Sequence, residues 1–186
     1  MTDVEIIELF WVRSETAISE TARIYGAYCK TIAMNILRNT EDAEECVNDT
    51  YMKTWETIPP QRPVVLYTFL GRITRNLSLD RYKARKAQKR TGDETALLLS
   101  ELDDCVSARK SVEDEFEAGL VAEAIDRFLA SVSEEYQIIF IRRYWYANSI
   151  AAIAERFEMS ESKVKSILFR MRKNLRIFLE REGVEV

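Results

Sequence analysis

Histidine is absent from the 186-residue sequence. Its absence removes Ser-His-Asp and Cys-His catalytic machinery and every imidazole metal ligand. Cysteine is scarce. Cys29, Cys46 and Cys105 have no zinc-site spacing, and their odd number suits a reducing cytoplasm better than a disulfide framework. Neither a metal site nor a cofactor is expected. Glycine (5) and proline (3) are few. A β-rich chain needs many tight turns, so an all-α fold is expected. No apolar run is long enough to span a membrane. The opening Met1-Thr2-Asp3-Val4-Glu5 has no basic leader, so no signal peptide is read there. What remains is 47% apolar and 31% charged, the composition of a globular chain with room for one medium domain or two small ones.

The net charge of −4 conceals blocks of opposite sign. Residues 1–61 are rich in acids. Residues 72–90 carry Arg72, Arg75, Arg81, Lys83, Arg85, Lys86, Lys89 and Arg90 against Asp80 alone. An acidic run follows over 92–118, relieved only by Arg109 and Lys110. Residues 161–181 are basic again, with Glu161 and Glu180 as the only acids. Basic blocks on an acidic chain point to a polyanion ligand better than bulk basicity would. The alternative for either block is a solvated helix face with local salt bridges.

Apolar spacing places the helices. Ile18, Ala22, Tyr25, Cys29, Ile32, Ala33 and Ile36 step by three and four, which predicts a helix over about 16–37. Asn39 is a suitable N-cap, with Glu41 and Asp42 in the first turn where the helix dipole favours acids. That helix runs to about Ile58, with Ala43, Val47, Thr50, Tyr51 and Trp55 inward. Pro59, Pro60 and Pro63 then impose a loop. A third helix starts near Val65, takes Leu66, Leu70, Ile73 and Leu77 as its core stripe, and extends to about Arg90. Residues 92–118 have no sustained period and read as an acidic linker, in which Leu97-Leu98-Leu99 could dock as a short helix. From Gly119 the helical period returns. Ser133, then Asn148 or Ser149, then Ser160 are the caps of three further helices.

The stretch 150–178 has the layout of a helix-turn-helix. Ile150, Ile153, Ala154 and Phe157 form one inner face; Val164, Leu168, Met171, Leu175 and Phe178 form the other; Met159 fills the turn. Such a pair presents its second helix to a major groove. At about 100° per residue, the side of that helix opposite Val164 and Leu168 holds Ser162, Ser166, Phe169 and Lys173. Lys163, Lys165, Arg170 and Arg172 flank it. Short hydroxyls framed by cations suit base-edge reading among phosphate contacts. Phe169 either touches a thymine methyl or packs on a neighbouring helix. On the third helix, the side opposite Leu66, Leu70 and Ile73 carries Thr68, Arg75, Tyr82, Lys86 and Lys89, suited to a nucleic-acid backbone with an opened base nearby. Tyr82 either stacks on that base or is half-buried. Arg72, Asn76 and Lys83 complete this candidate surface.

The segment Asn39-Thr-Glu-Asp-Ala-Glu-Glu-Cys-Val-Asn-Asp-Thr-Tyr-Met-Lys-Thr-Trp55 resembles the polymerase-core-binding segment of bacterial sigma factors of the extracytoplasmic-function (ECF) group, within the sigma-70 family. Leu66-Tyr-Thr-Phe-Leu-Gly-Arg-Ile-Thr-Arg-Asn-Leu-Ser-Leu-Asp-Arg81 is similar to that family's promoter-melting and −10-recognition helix. The helix-turn-helix is similar to its −35-reading domain. The match covers about 15–90 and 120–182.

The resemblance implies two small helical domains: a region 2 bundle over 1–91 and a region 4 helix-turn-helix over 119–186, joined by the linker 92–118. It implies a non-enzymatic, cytoplasmic bacterial initiation subunit. Its partners would be core RNA polymerase, promoter DNA (double-stranded at −35, single-stranded at −10) and an anti-sigma factor, which this family often has. Asp42, Glu45, Asn48, Asp49 and Lys53 would face the polymerase. The loop 59–65 would receive a flipped base, with Gln61 or Arg62 at its edge. The alternative is a stand-alone helix-turn-helix regulator, in which the acidic helix and the proline loop have no task. Two departures from the family pattern stand out. Glu158 occupies a turn position where the family often has glycine, and Ala152 replaces a capping-box glutamate.

Overall fold

The computed structural model describes residues 1–86, 94–103 and 114–183, with side chains for all of these except 86, 94, 102–103 and 114–120. The chain splits into two compact units, Met1–Thr91 and Gly92–Val186. Among the described residues all regular structure is helical.

The first unit holds α1 (Asp3–Trp11), α2 (Thr16–Leu37), α3 (Thr40–Thr57) and α4 (Leu66–Lys86). The spacing had predicted α2 and α3 within a residue. Asn39 caps α3 by accepting from the Asp42 N–H at 2.8 Å. Helix α1 was not expected. It starts with a capping box, in which the Thr2 N–H donates to Glu5 at 2.7 Å and the Thr2 hydroxyl accepts from the Glu5 N–H. It buries Ile6, Ile7 and Phe10 in the bundle.

The inner seam of α4 corrects the expected stripe. Leu66 and Leu70 are buried, but Ile73 and Leu77 are only half-buried, and the seam continues through Thr74, Ser78 and Tyr82. These five residues form one i+4 row. Such a row is inclined to the helix axis and is what a crossing helix meets, whereas the 4-3-4 stripe assumes near-parallel neighbours. The lower half of the seam is therefore polar. Thr50 donates to the Cys46 carbonyl at 2.8 Å, Thr74 to Leu70 at 2.9 Å and Ser78 to Thr74 at 2.7 Å. Thr50 also reaches the Thr74 hydroxyl at 3.1 Å. Each buried hydroxyl thus has a partner, which avoids the penalty for an unsatisfied group. Cys46 lies 3.2 Å from the Ser78 hydroxyl. Burial pushes the thiols of Cys29 and Cys46 above their ordinary values, as expected of inert core cysteines. Cys105 lies outside the described residues.

The second unit holds α5 (Glu94–Asp103), α6 (Asp114–Ala130), α7 (Glu134–Tyr144), α8 (Ile150–Arg156) and α9 (Glu161–Arg181). The first part of the presumed linker is thus helix, packed on this unit through buried Leu98 and Thr95. Its Glu101 accepts from Arg143 Nε at 3.0 Å and from the Tyr144 hydroxyl at 3.2 Å, and lies 3.5 Å from Arg172. Arg143 is fully buried and also donates to the Asn148 carbonyl at 3.0 Å. Helix α6 packs on α9 through Phe128 and Phe178, whose rings are 5.8 Å apart.

Helices α8 and α9 form the expected helix-turn-helix. Ser149 and Ser160 cap them, accepting from the N–H of Ala152 at 3.1 Å and of Lys163 at 3.2 Å. In the turn, Glu158 has φ of 52°, a conformation that strains a residue bearing a Cβ. Glycine would relieve the strain but add freedom to the unfolded chain. Glu158→Gly is therefore expected to stabilise the second unit by about 0.5 kcal/mol. Denaturant unfolding tests this, and a loss of stability would contradict it.

Candidate nucleic-acid interface

Helix α9 buries Val164, Ile167, Leu168, Met171, Leu175 and Leu179. Its other side is open: Ser162, Lys163, Lys165, Ser166, Phe169, Arg170 and Lys173 are all exposed. The Ser160 cap and the apolar row fix the rotation of the helix, so this outward set follows directly. Phe169 is 61% exposed, which decides against packing on a neighbouring helix. The Ser166 hydroxyl donates to the Ser162 carbonyl at 2.9 Å, leaving its oxygen able to accept. Lys165 pairs with Glu161 at 3.6 Å, an exposed contact worth well under about 1 kcal/mol that a phosphate can displace. Arg172, by contrast, is turned inward. It donates to the Tyr144 hydroxyl at 2.7 Å.

On α4, Arg72, Asn76 and Lys83 are exposed, and the Arg72 guanidinium lies 5.7 Å from the Phe69 ring centroid. Arg75 is half-buried, and burial lowers its pKa below the ordinary value. Tyr82 requires a correction. It is 8% exposed because it belongs to the i+4 seam rather than the outward face, so its ring packs in the bundle. The side chain of Lys86, and Lys89 altogether, lie outside the described residues. Gln61 is exposed, and its N–H donates to the Thr57 carbonyl at 3.0 Å. Arg62 forms an ion pair with Glu8 and lies over the Trp11 ring, 5.3 Å from its centroid.

The acidic face of α3 also differs from expectation. Asp42, Glu45 and Asp49 do not simply face outward. Arg81 binds Glu45 at 2.7 Å and Asp49 at 2.5 Å, and Arg85 binds Asp42. The bond from Arg81 holds the Glu45 carboxyl below its ordinary value, and Glu45 in turn raises Arg81. These side chains sit at the solvent boundary, so the ladder contributes modestly to stability. It nevertheless removes two cations from the basic block and three anions from the acidic one. Asn48 and Lys53 remain exposed, Lys53 beside Glu56 at 3.3 Å. Met52 is also exposed, at 54%. The sequence reading omitted it, although an apolar residue one turn beyond Asn48 on a polar face was the available signal.

Among the described residues, no group of three or more acidic or cysteine side chains could hold a metal ion. None of the described helices is long and apolar enough to cross a membrane. The chain matches the family model Sigma-70 region 2 over residues 22–88 and the family model Sigma-70, region 4 over residues 122–175. A search of curated proteins found no match.

Proposed function

We propose that this chain, which belongs to the sigma-70 family of RNA polymerase sigma factors, is an initiation factor of the ECF type. The observation that carries the reading is the fit of each matched region to its own compact unit, with cations exposed on a helix of each. Region 4 docks α9 in the duplex at −35. Ser162, Ser166 and Phe169 meet base edges there, and Lys163, Lys165, Arg170 and Lys173 meet phosphates. Region 2 holds the opened −10 strand along Arg72, Arg75, Asn76 and Lys83, with Gln61 and Arg62 at the loop that receives an extruded base. Asn48, Met52 and the α3 acids face core polymerase. The protein catalyses no reaction itself. It works in the bacterial cytoplasm, and an anti-sigma factor is its natural inhibitor. A stand-alone DNA-binding regulator would leave the region 2 unit without a task. Co-purification with core polymerase and run-off transcription separate the two readings.

Within this reading, base and phosphate contacts separate experimentally. Lys173→Ala is expected to weaken −35 binding about equally across sequences and to reduce the salt dependence by about one phosphate contact. Ser162→Ala or Ser166→Ala is expected to change which −35 sequences are preferred. Binding titrations over several salt concentrations and a −35 library check this. The reverse pattern would mean that α9 presents a different face.

A further inference from the structure

The loop between α3 and α4 is held by α1, which lies before the segment that matches region 2. Three contacts make the hold. Asp3 accepts from the Leu66 N–H at 3.0 Å and from the Tyr25 hydroxyl, so a carboxylate from 63 residues away sits at the N-terminus of α4, where the dipole favours it. Glu8 pairs with Arg62, and the Arg62 guanidinium lies over Trp11. Beyond α1, Arg13 donates to the Trp55 carbonyl at 2.6 Å and lies over the Trp55 ring, in the last turn of α3 before the loop. Between these holds, Gln61, Val64 and Val65 face solvent.

A loop arginine has many rotamers, and most of its ordering cost falls on whatever ligand it meets. Here a carboxylate and an aromatic face fix its plane before any ligand arrives. A guanidinium has five N–H donors, so one carboxylate does not use them all. We infer that Glu8 and Trp11 are positioning residues, which aim Arg62 at a base of the opened promoter strand and so set −10 specificity. This rests on the reading of residues 59–65 as the base-receiving loop.

The test uses the full chain with core polymerase and fork-junction promoter DNA, single-stranded across −10, with each base varied. The readout is the ratio of affinities for preferred and substituted sequences. Arg62→Ala is expected to reduce discrimination at one position by about ten-fold. Glu8→Gln is expected to reduce it at the same position by about two- to five-fold, the range of an exposed ion pair. The double variant Glu8→Gln/Arg62→Ala should discriminate no less than Arg62→Ala alone, because Glu8 acts only through Arg62. Trp11→Ala should resemble Glu8→Gln, and Trp11→Tyr should restore most of the loss. Binding to −35 duplex should stay at wild-type values throughout, and Glu8→Gln should lower the melting temperature by no more than a few degrees. If Arg62→Ala reduces discrimination but Glu8→Gln does not, the positioning role is overturned and the loop reading stands. Uniformly tighter binding by Glu8→Gln would also overturn it, because Glu8 would then shield Arg62 from DNA. If Arg62→Ala changes nothing, the loop reading itself fails and the inference fails with it.

Discussion

Replacing Glu101 with glutamine is expected to cost the second unit about 3 kcal/mol of stability. Arg143 is fully buried, and Glu101 is a carboxylate that bonds it and lies near Arg172. The net worth of such a pair against an apolar replacement is small, but removing one partner withdraws a charge from a buried cation, which is costly. Glutamine can still accept a hydrogen bond, which puts the loss at the lower end of the range for broken buried pairs. Loosening α5 also lengthens the connection between the units. The ten residues Glu94–Asp103 measure about 15 Å as helix and about 33 Å extended. Urea unfolding followed by amide exchange in α7 to α9, with α2 to α4 as internal reference, measures the effect. A change below about 1 kcal/mol would mean that the pair behaves as a surface contact.

Asn48→Lys combined with Met52→Lys is expected to reduce affinity for core polymerase by about a hundred-fold or more, since the acid-rich α3 face implies a basic partner surface, at which two added cations cost several kcal/mol together. Both positions are exposed and lie outside the α3–α4 ladder, so stability should shift by no more than about 0.5 kcal/mol. Reversal of Asp42 and Asp49 to arginine should also abolish binding, but by a mixed route. Each new cation would face Arg85 or Arg81, and the first unit would be destabilised as well. Comparing the two double variants by polymerase titration and thermal unfolding separates interface from fold. Wild-type affinity of the Asn48/Met52 variant would exclude this face of α3 from the polymerase contact.

The contrast between these variants shows where sequence reasoning stops. Helix α2 was legible from its apolar period alone, and α3, α8 and α9 because cap and period agree at each. Asn39, Ser149 and Ser160 all bond as caps. The outward set on α9 was legible for the same reason: one apolar row fixes the rotation. Tyr82 was misplaced because the period gives the spacing of a seam but not its inclination, which the crossing partner sets. The partners of Asp42 and Asp49 lie 43 and 32 residues away. Charge patterning reveals blocks, not pairs. Arg143 was unreadable in kind, because a buried arginine looks like any other basic residue until its carboxylate is found. Helix α1 carries its signal in Thr2, Glu5, Ile6, Ile7 and Phe10, but its nine residues are too few for an apolar period to stand out.

The contacts of α1 also impose an order of events during synthesis. Leu66 follows Asp3 by 63 residues and Arg62 follows Glu8 by more than fifty. At about 5–20 residues per second, several seconds pass between the emergence of α1 and that of its partners. During that interval Ile6, Ile7 and Phe10 have only part of their bundle to enter. A helix of nine residues is marginal alone in water, and α1 gains the part of its support that comes from α4 only after α4 is made. The loop and the start of α4 take their final form only when α1 returns to them. A nascent chain stalled before residue 66 should therefore leave its first dozen residues open to proteolysis and to chaperone capture, and one stalled well beyond α4 should protect them.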